Sequence, residues 1–441
     1  MPPESTRPGT PPHHPIFGVT LSRSHIEAIF AALYPQSELL SVSQLESGKS
    51  FNNRIYFLSL GQSCGSLTTP KETRELLLKV NGRFFGSDKI QNEVACLRIL
   101  EQYCPELPVP RVIAWSEDGR TITIPSWDDN YATHKKLPIP LEDESAQHPG
   151  WILMTRLPGE AVSSLTLDDT AMSSIGAQLA EMVAAWRLNV PHTNNCGNLL
   201  FYPSDIVGPS NIDIDLGHED ARPAGVADAF IVRGLLGDGI PPSKPITSVL
   251  ELHRIRFQAK LHELQTVSTF APNRELVPEI SNFITTSLTK LFPIPEASDS
   301  FVFTHFDLSP RNTLVTIPTG TTPDAEGKPT TPQITGLIDF EFSGFFPPSH
   351  EFVNDYVDNG GDWSEAAYAA YLKRLAELEV ATPLDGIDGE EWRVEHRLGV
   401  LMDNIAPWWL PGGFTEREVG EKLEECRRVD MVKALFDALD A

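Results

Sequence analysis

The sequence predicts an α+β chain in two parts, a small antiparallel sheet with one helix and then a larger, mainly helical part. Three observations carry this. Short apolar runs bounded by polar turns cluster early, at 38–45, 54–60, 74–80, 109–116, 119–125 and 151–157. One stretch among them, 87–103, spaces Ile90, Val94, Leu97 and Leu100 as a helix does. Beyond residue 158 the helical spacing takes over, at 166–188, 246–267 and 276–291. The expected boundaries are a flexible, Pro-rich tail over 1–15, a first lobe over 16–157 and a second over 158–441.

Size and charge narrow the function classes. With 441 residues and 41% hydrophobic content, the chain can build two substantial cores. A formal charge of −25 opposes a nucleic-acid backbone or an anionic membrane as partner, since both require basic patches. No apolar run approaches the length of a membrane span. The five cysteines are widely spaced and form no CxxC pair, so neither a disulfide framework nor a zinc site is expected. The start, MPPESTRPGTPPHHP, has no signal core, so the expected location is cytoplasmic, with no obligate protein partner implied.

Taken in order, Ser22 caps a helix whose apolar residues are Ile26, Ile29, Phe30 and Leu33. The next two strands flank a polar turn, Glu46 to Asn53. Its Gly48-Lys49-Ser50 is not a Walker A motif: Ser43 stands where another glycine is required, and a strand follows instead of a helix. Small residues such as Ser47, Gly48 and Ser50 would let backbone N–H groups approach phosphates. The run 74–80 carries Lys79, whose burial requires an anionic partner. Glu93, fourteen residues on in the 87–103 helix, is placed to be that partner. A polar insertion is expected over 126–150, and a strand starting at Trp151 runs into the Pro158-Gly159 turn. The helix over 166–188 is expected to open on a Thr cap. The segment 189–244 is irregular, and 317–333 is expected to be a mobile, dispensable loop.

The chemistry concentrates in FVFTHFDLSPRNTLV (301–315) and QITGLIDFEFSG (333–344). Asp307, Asn312 five positions later and Asp339 on the next hairpin match the order of the H-R-D, Asn and D-F-G elements used in phosphoryl transfer. There an aspartate takes or orients the hydroxyl proton, and hard oxygen ligands hold Mg²⁺ against the phosphates. Phe306 replaces the template arginine and Glu341 the template glycine, neither being a metal ligand of that template. His305 is expected to buttress the loop. Arg311 either braces it or faces phosphate.

THFDLSPRNTLV and ITGLIDFEFSGFFPPSHEF together resemble the aminoglycoside phosphotransferase and choline kinase-like family of small-molecule kinases. The resemblance implies a two-lobed, protein-kinase-like fold, ATP and Mg²⁺ as cofactors, Asp307 as base, and Asn312 and Asp339 as metal ligands. It also implies Lys79 on the phosphates with Glu93 as its brace. By the same resemblance, adenine would bond to backbone at Thr155 and Leu157, with Met154 behind it. The acceptor it implies is a hydroxyl on a small molecule, cationic where that is a polyamine sugar or amino alcohol. Residues 340–441 hold 22 acids against nine bases, and Asp355, Asp358 and Asp362 are the candidate acceptor ligands, with Trp408 and Trp409 as cation-binding faces. Two alternatives stay open: a nucleotide-binding scaffold without turnover, and a Ser/Thr protein kinase. No Ala-Pro-Glu signature follows Asp339, against the second.

Overall fold

The computed structural model describes residues 14–46, 49–61, 75–84, 86–125, 134–140, 148–201, 230–232, 234–236, 245–292, 300–318, 331–351, 363–380, 405–406, 415 and 417–421. The chain divides into two compact units, Met1–Val94 with Arg111–Arg156 and Pro407–Cys426, and Ala95–Pro110 with Leu157–Ala406 and Arg427–Ala441. The α+β class expected from the sequence is the one the chain adopts, an antiparallel-sheet unit and a mainly helical one.

The first unit is built on a seven-stranded sheet. Its strands are β1 (Leu39–Gln44), β2 (Asn53–Leu60), β3 (Glu75–Asn81), β4 (Val112–Ser116), β5 (Thr121–Ile124), β6 (Lys135–Pro138) and β7 (Trp151–Thr155). They lie in the order β1-β2-β3-β7-β4-β5-β6 and pair antiparallel throughout. Within the polar insertion expected over 126–150, Lys135 to Pro138 pair with β5 as β6, although two lysines and a proline give no apolar alternation.

Alternation in β3 divides the sheet into two faces with different tasks. Leu76, Leu78 and Val80 join Tyr56, Leu58, Leu60, Trp151 and Leu153 in one core with α1 (Arg23–Leu33). That helix presents Ile26, Ile29, Phe30 and Leu33 to the core and is capped by the Ser22 hydroxyl, which accepts from the His25 N–H. The other face holds Lys79, set opposite Ile55 on β2 and Ile152 on β7, while Met154 on β7 stands opposite Leu77. One face of the strand thus joins the apolar core, and the other sets Lys79 between Ile55 and Ile152.

The expected tail over 1–15 falls, up to residue 13, outside the described residues. His14 and Pro15 are fastened: Arg83 donates to the carbonyl of each, at 2.9 and 3.0 Å, and Arg54 donates to the Ile16 carbonyl at 3.0 Å.

The helix expected over 87–103 forms as α2 (Ser87–Tyr103). In the second unit, α3 (Asp169–Asn189) lies along α7 (Glu365–Glu377). Gly176 allows this approach, since a Cβ there would come within 2.1 Å of the Ala367 carbonyl oxygen. The cap of α3 is Asp168, which accepts from the Ala171 N–H, and not the threonine expected. The helical remainder is α4 (Val249–Thr266), α5 (Val277–Thr286) and α6 (Leu288–Leu291).

Short strands complete the second unit: β8 (Glu160–Ala161), β9 (Leu199–Phe201), β10 (Phe230–Val232), β11 (Val302–Thr304), β12 (Thr313–Thr316), β13 (Gln333–Leu337) and β14 (Gly344–Phe346). β9 and β10 pair inside the segment expected to be irregular. β12 and β13 close a hairpin at Thr316 and Gln333, the root of the long loop, of which 319–330 lie outside the described residues.

Candidate active site

In the first unit Lys79 and Glu93 meet as the sequence predicts. Lys79 Nζ lies 2.8 and 2.7 Å from the two Glu93 carboxylate oxygens, and both residues are buried. A strand lysine and a helix glutamate are thereby locked together, satisfying charges that would be costly alone. Met154 is buried on the same face of the sheet as Lys79. The Thr155 N–H donates to the Arg111 carbonyl at 3.0 Å, so only the Thr155 carbonyl could serve a base there. That narrows the expected adenine contact. Ser50 is half-buried beside the turn, while Ser47 and Gly48 lie outside the described residues.

In the second unit the loop between β11 and β12 carries Asp307 and Asn312. The Asn312 amide donates both to the Asp307 backbone carbonyl, at 3.0 Å, and to Asp307 Oδ2, at 2.9 Å. With its N–H groups so directed, the amide turns its Oδ1 away as an oxygen ligand. Arg311 donates to the other Asp307 oxygen at 2.6 Å, which makes it a brace of the loop.

Asp339 is delivered by the hairpin. Thr313 stands opposite Leu337, and the Ile338 N–H donates to the Asn312 carbonyl at 3.0 Å. Asp339 itself has φ 71°, a left-handed conformation that aspartate tolerates better than most residues and that redirects its side chain as the strand ends. A carboxylate oxygen of Asp339 lies within 4.8 Å of one from Glu341, which is buried. These hard oxygen donors suit Mg²⁺, and Glu341, expected only as a lost glycine, joins the candidate ligands.

His305 is fully occupied as a buttress. Its Nε2 donates to the Ile338 carbonyl at 3.1 Å, its Nδ1 accepts from the Asp307 N–H at 3.2 Å, and its ring packs on Phe340 at 4.4 Å. Both ring nitrogens are spoken for, which fits the expectation of a structural role and leaves none for proton transfer.

Glu351 was legible in the sequence only as one member of an acidic run. It is buried, and its carboxylate accepts from the His305 and Phe306 N–H groups at 3.0 and 3.1 Å. This holds Phe306 at φ 73°, a strained conformation for a bulky residue, with its ring 4.7 Å from Phe346. Burial pushes the Glu351 carboxyl up to about 7, against the pull of Arg187 and of the two N–H groups. The Arg187 guanidinium stands 3.8 Å away, and burial lowers its pKa in turn.

Asp355, Asp358 and Asp362, and likewise Trp408 and Trp409, lie outside the described residues.

A sequence model of the phosphotransferase enzyme family matches residues 49–386. The chain belongs to that family. The match runs from the turn before β2 to beyond α7, taking in every residue named above from Ser50 to Asp362. Among solved structures, this phosphotransferase is similar to aminoglycoside phosphotransferase APH(4)-Ia, with 13% identity, 95% and 98% of the two chains covered and a TM-score of 0.46. It is similar also to spectinomycin phosphotransferase APH(9)-Ia, solved in complex with ADP and spectinomycin, with 12% identity, 95% and 99% covered and a TM-score of 0.45. No curated protein matches its sequence significantly.

Proposed function

We propose that this phosphotransferase moves the γ-phosphoryl group of ATP to a hydroxyl of a small, cationic molecule, with Mg²⁺ as cofactor. The observation that carries the reading is the joint held by Asn312. Its amide fixes the Asp307 carboxylate, and its carbonyl receives the Ile338 N–H beside Asp339.

In this reading Asp307 orients the acceptor hydroxyl and takes its proton as phosphoryl transfer proceeds. Its oxygens are held by Asn312 and Arg311, which fixes the direction of the remaining lone pairs. Asn312 Oδ1, Asp339 and Glu341 would hold Mg²⁺, which when bound neutralises charge on the phosphate oxygens. Lys79, steadied by Glu93, contacts the α and β phosphates. The turn containing Ser47, Gly48 and Ser50 covers them with backbone N–H groups. Adenine meets the Thr155 carbonyl and the Leu157 N–H in front of Met154. The cationic class of the acceptor is supported by the acidic composition of residues 340–441, and Asp355, Asp358 and Asp362 remain the candidates to bind it.

The test is transfer of labelled phosphate from ATP across a library of amino alcohols and aminosugars. One or more labelled products is expected with the wild type, and none with Asp307→Ala, although that variant still binds Mg-ATP. Wild-type turnover by Asp307→Ala would remove Asp307 from the mechanism.

A further inference from the structure

Behind the candidate metal ligands of the second unit stands a buried amide that the reaction described above does not use. Asn198 is 1% exposed and lies in the segment that the sequence predicts to be irregular. Its Nδ2 donates to two carbonyls, those of Phe342 and Ser343, each at 2.9 Å, and its Oδ1 accepts from the Leu236 N–H at 2.7 Å. Two carbonyls need the amide nitrogen and one N–H needs the amide oxygen, so the side chain can face only one way. An amide buried without partners is costly, whereas one satisfied like this makes rigid what it holds.

What it holds is the turn that carries both acids. Asp339 and Glu341 stand in the run 339–343, which the Ser343 N–H closes by donating to the Phe340 carbonyl at 3.2 Å. Asn198 grips the far end of that turn, beginning at the residue after Glu341. The Ser343 hydroxyl then reaches the base loop, donating to the His305 carbonyl at 2.8 Å, two residues before Asp307. The backbone beside Asn198 is docked as well. Gly197 and Phe345 exchange both their backbone hydrogen bonds, at 2.7 and 2.9 Å, and a Cβ at Gly344 would come within 2.4 Å of the Gly197 carbonyl oxygen. Backbone pairing thus brings Asn198 to the turn, and its amide does the holding.

We infer that Asn198 is a positioning residue for the metal ion, acting through the backbone of the 339–343 turn to hold the Asp339 and Glu341 carboxylates in place. The inference rests on the reading of those two acids as Mg²⁺ ligands. Groups that orient metal ligands without touching the metal set its affinity, and losing one costs about tenfold to a hundredfold.

The test measures binding of ATP to the full chain by calorimetry, once with Mg²⁺ and once with EDTA, and takes the ratio of the two affinities as the contribution of the cation. In the wild type Mg²⁺ is expected to tighten ATP binding. Asn198→Leu, close in size but unable to hold the carbonyls, should shrink that ratio about tenfold and leave ATP in EDTA within about twofold of the wild type. Asn198→Asp keeps an oxygen for the Leu236 N–H and loses both donors to the turn, so it should shrink the ratio too. An unchanged ratio in Asn198→Leu, or equal losses with and without the cation, would each overturn the inference. Should Asn198→Leu fail to fold, Asn198→Asp and Asn198→Ser are read in the same way: a smaller ratio supports the inference and an unchanged one overturns it. A wild type that binds no ATP, or binds it equally with Mg²⁺ and with EDTA, removes the reading of the two acids as metal ligands and this inference together. A wild type that responds to Mg²⁺, with the variants responding equally, removes this inference alone.

Discussion

At the scale of single residues, an acid's role here is decided by burial, which its sequence position does not reveal. Asp307, Asn312 and Asp339 were legible because their spacing is tied to one chemistry. Glu341 and Glu351 were not: both are buried, yet in the sequence they look like the solvent-facing acids around them. Glu351 leads to a pH prediction. Its carboxyl rises from 4.5 in an unfolded chain to about 7 in the folded one, so the folded state holds the proton more tightly. The stability this contributes is complete below about pH 4.5 and is lost as pH rises through about 7. In Glu351→Gln that decline should be absent, a difference of up to about 3 kcal/mol between pH 5 and pH 8 in denaturant titrations. Identical pH slopes for the two proteins would contradict it. A second substitution isolates the amide joint: Asn312→Asp replaces two donated hydrogen bonds with a carboxylate facing Asp307. Turnover should fall by about 10²-fold or more, with a modest change in melting temperature.

Among the elements, the helices with an apolar stripe and a capping residue were the legible ones. α1 and α2 formed where the pattern placed them, whereas β6 and the β9–β10 pair did not announce themselves. Their partners lie elsewhere in the chain and their residues carry no alternation, so pairing, a tertiary fact, decides them. The α3–α7 packing gives a test at this scale. Beside Gly176, Ser173 Oγ donates to the Ala366 carbonyl at 3.3 Å, and further along Arg374 pairs with Glu181 at 2.8 Å. Gly176→Ala should push the helices apart and cost about 1–3 kcal/mol, despite the better helix propensity of alanine. A melting temperature equal to or above that of the wild type would show that the crossing yields without strain.

For the whole molecule, what counts is the coupling of ligand to fold. If Mg-ATP binds only the folded chain, it should raise stability by about 2.7 kcal/mol at a hundred times its Kd. EDTA should remove most of that gain, because Asn312, Asp339 and Glu341 would then face the phosphates without a cation. A melting curve unmoved by Mg-ATP would count against the assignment of cofactor. The charge of −25 adds an ionic-strength signature: a cationic acceptor should bind more weakly in high salt, and a neutral one should not.

The stretch from His14 to Ile16, tied down by Arg83 and Arg54, offers a spectroscopic handle. The His14 ring lies against Phe51 of the turn before β2, with centroids 5.1 Å apart. An environment-sensitive dye attached through His14→Cys would rest on that turn, and its emission would follow movements of the turn directly, in real time and before any acceptor has been found.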